Sequence, residues 1–325
     1  MAEPGKSSRT WENQPLLSFA SLIPERLLMA GHRFGRTIRR DYVGLTPQQI
    51  RVGLDQLSRL NPGPFGANFE LMALNSIPCA RIFWPDRTRK PGIILLIHGG
   101  GFAFGSPRSH RALAVHLSKA TDHEVWIPDY RLSPEHPFPS GLTDLQQVVE
   151  EMIRKRTPLH AIVGDSAGGN LAAALIQWMV LTWPDHLPNA CALLSPWLDL
   201  SPQSKSNLQD EEALSLFDRY DMLTYSGFYL QGHSPEDPLV SPLRGSFEGF
   251  PRTYLEGSMV EYLWPDILLG AEKLDKSGIE LHFRQEQRAL HGWQLFPDAL
   301  PEAKRTLQVL AEWMEQPAAI NRPKT

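Results

Sequence analysis

Along most of this chain short apolar runs alternate with helix-like segments, and no other feature of the sequence constrains its fold as tightly. The runs cover residues 92–97, 124–127, 159–163, 190–194, 252–255 and 279–283, and the helix-like segments cover 109–120, 142–156, 169–183, 265–277 and 297–315. Strands that are apolar at nearly every position have both faces buried. Their alternation with helices long enough to cross over predicts an α/β fold, a mostly parallel sheet flanked by helices on both faces. Two further runs, 69–74 and 80–84, are separated by Asn75, Ser76 and Pro78, which predicts an antiparallel pair at one sheet edge.

Two stretches fall outside this alternation. Residues 16–60 read as helical, with Ile50, Leu54 and Leu57 at i, i+4, i+7 behind Thr46 as N-cap and Pro47 in the first turn. Residues 201–238 are polar and charged apart from a short helical run at 223–230. Together they predict a helical cap over the carboxyl edge of the sheet. The expected division is a cap segment at 1–65, a first part of the core at 66–200, a cap insertion at 201–238 and the rest of the core at 239–325.

Composition excludes several classes of function. With 42% hydrophobic and 21% charged residues among 325, the chain can bury a large core. A formal net charge of −4 and the lack of any Lys/Arg run argue against a nucleic-acid partner. No run of about 20 apolar residues is present, so no membrane span is expected. Residues 1–14 lack the basic-then-apolar layout of a secretory leader, which points to a cytoplasmic protein. Both cysteines, Cys79 and Cys191, lie in apolar runs and are expected to be buried free thiols.

The chemistry is concentrated in three places. Gly164-Asp165-Ser166-Ala167-Gly168 stands between the run at 159–163 and the helical segment at 169–183. A serine on so tight a strand-to-helix turn is exposed, and small residues must flank it because helix and strand pack closely there. His98-Gly99-Gly100-Gly101-Phe102 directly follows the run at 92–97. Consecutive glycines let backbone N–H groups face an oxyanion with no side chain in the way. The place of His98 in this loop suggests that it holds the loop rather than acting as a base.

A serine hydroxyl becomes a nucleophile at neutral pH when an imidazole accepts its proton. Of the 11 histidines, His291, in Leu290-His291-Gly292-Trp293, follows the last strand and satisfies the chain order serine, acid, histidine. The acid should follow the strand at 252–255, where Glu256, Glu261 and Asp266 are candidates. Glu261 is preferred for its place on the loop before the next helix. Asp266 is the alternative, although a carboxylate there also complements the helix dipole.

These residues resemble the hormone-sensitive-lipase branch of the α/β-hydrolase esterases. The resemblance extends over about 91–296 and includes residues 98–102, 129–139, 164–169, 195–200 and 291–296. It implies a serine esterase with an α/β-hydrolase fold and a helical cap, in which Ser166 and His291 are catalytic. It also implies that Gly100, Gly101 and Ala167 donate the oxyanion-hole N–H groups. Many relatives have Asp-Pro-Leu at the acid, where this chain has Glu261-Tyr262-Leu263. The loop at 129–139 is expected to be structural, with Arg131 paired to Glu135.

The expected reaction is hydrolysis of esters of small to medium apolar acyl groups through an acyl-enzyme, with neither cofactor nor metal. Phe102, Trp197 and Trp293 are the candidate substrate-binding residues, and Phe104 adds aromatic surface nearby. Two other readings compete: a natural-product tailoring hydrolase or acyltransferase, and a non-catalytic small-molecule receptor. Receptors on this fold lose the histidine that this chain keeps. A homodimer through edge strands is possible by family analogy alone.

Overall fold

The computed structural model describes residues 10–13, 46–202 and 219–317. Most of the cap segment at 1–65 and the first part of the insertion at 201–238 therefore lie outside the described residues. Among the described residues nine strands form one sheet: β1 Thr10–Asn13, β2 Asn68–Leu74, β3 Ile77–Phe83, β4 Ile93–Ile97, β5 Glu124–Pro128, β6 Leu159–Asp165, β7 Ala190–Leu194, β8 Arg252–Ser258 and β9 Leu281–Glu286. Their order across the sheet is β1-β9-β8-β7-β6-β4-β5-β3-β2. From β5 to β1 every neighbour is parallel, while β2 and β3 pair antiparallel and β3 joins β5 antiparallel.

The double burial expected of the apolar runs has a direct cause. Along β4, Ile93, Leu95 and Ile97 pack into one core while Ile94 and Leu96 pack into another on the opposite face. Each of these side chains is almost wholly buried, which stabilises the fold by about 1.5–3 kcal/mol apiece. Helices α2 (Arg111–Thr121) and α7 (Pro301–Glu315) cover one face through Leu113, Leu117, Leu307 and Leu310. Helices α3 (Ser140–Arg154), α4 (Ala167–Thr182) and α6 (Trp264–Lys276) cover the other through Leu145, Leu171, Leu175 and Ile267. Two more helices, α1 (Pro47–Leu57) and α5 (Arg219–Leu230), belong to the segments expected to form the cap. Thr46 caps α1 with a reciprocal bond pair to Gln49, and Pro47 occupies its first turn.

Three expectations need correction. The sheet begins earlier than its apolar pattern: the polar strand β1 pairs along β9 through backbone groups, which no side-chain periodicity reports. Pro78 lies inside β3 rather than in the turn, which Asn75 and Ser76 make with positive φ of 47° and 69°. Arg131 does not pair with Glu135. It binds Asp144 on α3, with Nη2 to Oδ1 at 2.7 Å, and Glu135 instead receives Arg51 of α1 at 2.7 Å. Cys79 and Cys191 are buried and unbridged. No helix among the described residues is long and apolar enough to cross a membrane.

Candidate active site

All of the chemistry-bearing segments leave the sheet at its carboxyl edge, where loops from parallel strands converge. Ser166 joins β6 to α4 with φ 53° and ψ −120°. This conformation costs on the order of 1–3 kcal/mol and has to be held by its surroundings. Here Ser166 N–H donates to Leu194 O at 2.9 Å, and Ser166 O accepts from Trp197 N at 3.0 Å. Close packing fixes the flanking glycines: a Cβ on Gly168 would lie 2.1 Å from Ile97 O, and one on Gly164 would lie 2.3 Å from Gly168 O.

His291 sits on the loop between β9 and α7 and is buried. Its Nε2 is 2.9 Å from Ser166 Oγ and its Nδ1 is 2.5 Å from Glu261 Oε2. Glu261 is wholly buried, and its second oxygen accepts Ser258 N–H at 2.7 Å. The other two acid candidates face elsewhere. Asp266 Oδ2 accepts Asp199 N–H at 3.0 Å. Glu256 lies within β8, where it binds Arg284 and Thr306, and burial pushes its carboxyl up to about 7 against the pull of Arg284.

The glycine loop lies beside the serine. Gly100 and Gly101 have positive φ, of 121° and 59°, and their N–H groups make no hydrogen bond to another described residue. Ala167 opens α4, so its N–H is one of the free donors of a first helical turn. Beneath the loop, Asp165 Oδ1 accepts Gly99 N–H at 2.9 Å and lies 3.0 Å from His110 Nε2. Burial alone would raise the Asp165 carboxyl, but His110 and the Gly99 N–H outweigh it and hold it below its ordinary value. His98 bonds Gly99 O through Nδ1 at 3.0 Å, and Tyr130 OH donates to His98 O at 2.6 Å.

A narrow apolar cavity of about 20 Å³ opens over Ser166, lined by Gly101, Trp197, Met222, Tyr225, Tyr262, Leu263 and His291. Of the aromatic residues expected at the substrate, Trp197 lines the cavity, oriented by its Nε1 bond to Asp199 O at 2.8 Å. Phe102 lies outside that lining and stacks on Tyr229 at 3.9 Å, and Phe104 meets Tyr225 edge-on at 5.0 Å. Trp293 is turned toward α7, where its Nε1 donates to Thr306. Met222 and Tyr225 were not anticipated, although their i, i+3 spacing puts both on one face of α5.

A larger groove of about 760 Å³ between α2 and α7 is lined by no serine, threonine or cysteine, so chemistry rather than size selects the smaller cavity. Among the described residues, His123, His160 and Glu315 are close enough to suggest a metal centre. The two imidazoles stack at 3.8 Å and 16°, so their in-plane lone pairs run side by side instead of converging, and Glu315 is engaged by Lys90.

Comparison with known proteins agrees with this fold. A family model described as alpha/beta hydrolase fold matches residues 94–295. An esterase of Acinetobacter venetianus is 31% identical over 274 residues, 83% of this chain and 89% of its own length. An acetyl-hydrolase of Streptomyces hygroscopicus is 31% identical over 234 residues, 71% of this chain and 78% of its own. The crystal structure of an esterase from the bacterial hormone-sensitive lipase family superposes with a TM-score of 0.80 at 26% identity, covering 88% of this chain and 96% of that one. With its serine elbow, glycine loop and mostly parallel sheet, this carboxylic ester hydrolase belongs to the hormone-sensitive-lipase family of the α/β-hydrolase fold.

Proposed function

We propose that the chain cleaves esters of small to medium apolar acyl groups by way of an acyl-enzyme on Ser166, with His291 as base and Glu261 as the acid of the triad. One observation carries this reading: the unbroken line from Ser166 Oγ through His291 to Glu261, at 2.9 and 2.5 Å. His291 accepts the hydroxyl proton as Oγ attacks the ester carbonyl, and Glu261 holds the imidazole with its proton on Nδ1 and stabilises the imidazolium. The carbonyl oxygen becomes an oxyanion facing the N–H groups of Gly100, Gly101 and Ala167. Collapse breaks the bond to the alcohol, which leaves with the proton returned by His291. A water then repeats the sequence on the acyl-enzyme, releasing the acid and restoring the serine.

The α4 N-terminus adds a positive dipole end beside Ser166. The small apolar cavity favours the short end of the acyl range. The test is a series of p-nitrophenyl esters of rising chain length, run on the wild type and on Ser166→Ala. The wild type should prefer short chains, and the variant should lose on the order of 10⁴ to 10⁶ in kcat while keeping its fold. Retention of more than about a tenth of the turnover would remove Ser166 from the reaction.

A further inference from the structure

The helix α1 contributes no residue to the cavity, yet one of its side chains reaches the turn that carries the oxyanion glycines. Arg51 Nε donates to Ala103 O at 2.7 Å and Nη2 donates to Ser133 O at 2.7 Å. The same guanidinium forks onto Glu135 at 3.1 and 2.7 Å, and Gln48, one turn earlier, also binds Glu135. One turn later Asp55 accepts Ser106 Oγ at 2.5 Å. Thus α1 grips the loop after Gly101 at two points, Ala103 and Ser106.

Both carbonyls that Arg51 binds belong to segments that are themselves joined. Ala103 N–H and Phe104 N–H donate to Gly100 O at 3.1 and 2.8 Å, closing the turn from its inner side. Ser133 donates to Phe102 O through both N–H and Oγ, at 2.9 Å each. Arg51 closes the same turn from its outer side, across to the segment containing Ser133. The direction of the Gly100 and Gly101 N–H vectors follows from how this turn is held.

We infer that Arg51 is a positioning residue for the ester-cleaving reaction, fixing the oxyanion turn through Ala103 O and Ser133 O. This rests on the oxyanion role proposed above for Gly100 and Gly101. A partly exposed ion pair with Glu135 adds little to stability, so the contribution of Arg51 is expected in rate more than in folding. The fork is specific to arginine, because a lysine ammonium cannot reach two carbonyls and a carboxylate in fixed directions.

The test compares wild type, Arg51→Met and Arg51→Lys on p-nitrophenyl acetate, with rates expressed per site titrated by a fluorophosphonate. Small misplacements of such groups cost up to about 10²-fold, so Arg51→Met is expected to lose about 10–100-fold in kcat with KM changed less than about threefold. Affinity for a trifluoromethyl ketone, whose adduct carries the oxyanion, should fall in parallel, and Arg51→Lys should recover part of both. A purely structural role would instead lower the titratable fraction or the melting temperature and leave the rate per site at the wild-type value, which would overturn the inference. A wild type that neither hydrolyses the ester nor reacts with the fluorophosphonate would overturn the proposed function itself.

Discussion

Glu261 Oε2 lies 2.5 Å from His291 Nδ1 while its other oxygen is fixed by Ser258 N–H, so the carboxylate is aimed at the imidazole from a loop that returns to its own strand. The turn is local: Glu261 N–H donates to Ser258 O, and Trp264 N–H donates to Glu261 O. A glutamate, longer by one methylene than an aspartate, reaches the ring from this buried loop. Asp266, five residues on, is used to hold the backbone at Asp199.

Glu261→Gln is therefore expected to lower kcat by about 10²-fold or more, because the amide neither stabilises the imidazolium nor fixes its tautomer. Asp266→Asn should leave kcat within a few-fold and cost about 1 kcal/mol in stability through the weakened bond to Asp199. Steady-state kinetics and urea unfolding on both variants check the pair. A larger rate loss at Asp266 than at Glu261 would reverse the assignment.

Acyl-chain preference should be set by α5. The ring of Tyr225 lies over the glycine loop, with Cδ2 at 3.0 Å from where a Cβ of Gly101 would stand, and Met222 lines the same cavity. Truncating both, as Met222→Ala with Tyr225→Ala, is expected to raise the octanoate-to-acetate ratio of kcat/KM by about tenfold or more, since each methylene accommodated is worth about 1–3 kcal/mol. An unchanged ratio would place the acyl chain elsewhere.

Acid stability should depend on His98. Burial first, and neighbouring His110 second, push its imidazole down to about 3. In the unfolded chain it titrates near 6.5, so between about pH 6.5 and 3 the unfolded state binds a proton that the native state refuses. Stability from this group is whole above about pH 6.5 and falls by up to roughly 1.4 kcal/mol per pH unit below it. Urea unfolding at pH 7, 6 and 5 should show a shallower pH slope for His98→Gln than for the wild type. Equal slopes would mean that His98 is charged in the native protein.

Much of this arrangement was legible in the sequence, for reasons that differ by element. The strands β4 and β7 are readable because double burial makes them apolar at every position, and the Ser166 elbow because strand, small residues and helix are contiguous. The acid was narrowed to three carboxylates, since the strand locates the loop but not the direction of each side chain. Arg51, Met222 and Tyr225 escaped because each acts on residues far along the chain: nothing local to Arg51 indicates that its donors meet Ala103 and Ser133. Trp293 misled for the converse reason, for its neighbour His291 is in the site while its own ring packs toward Thr306. The strand β1 left no trace because its pairing with β9 runs through backbone groups, which the side-chain pattern of the sequence does not report.

The most direct measurement of the central claim is the position of a covalent adduct. Wild-type protein treated with a fluorophosphonate should gain one phosphonyl group per chain, found on Ser166 by peptide mass spectrometry, with hydrolysis lost in proportion. His291→Ala should slow labelling strongly, because without its base the Ser166 hydroxyl is a weak nucleophile. An adduct on another serine, or full labelling with ester hydrolysis intact, would contradict the account.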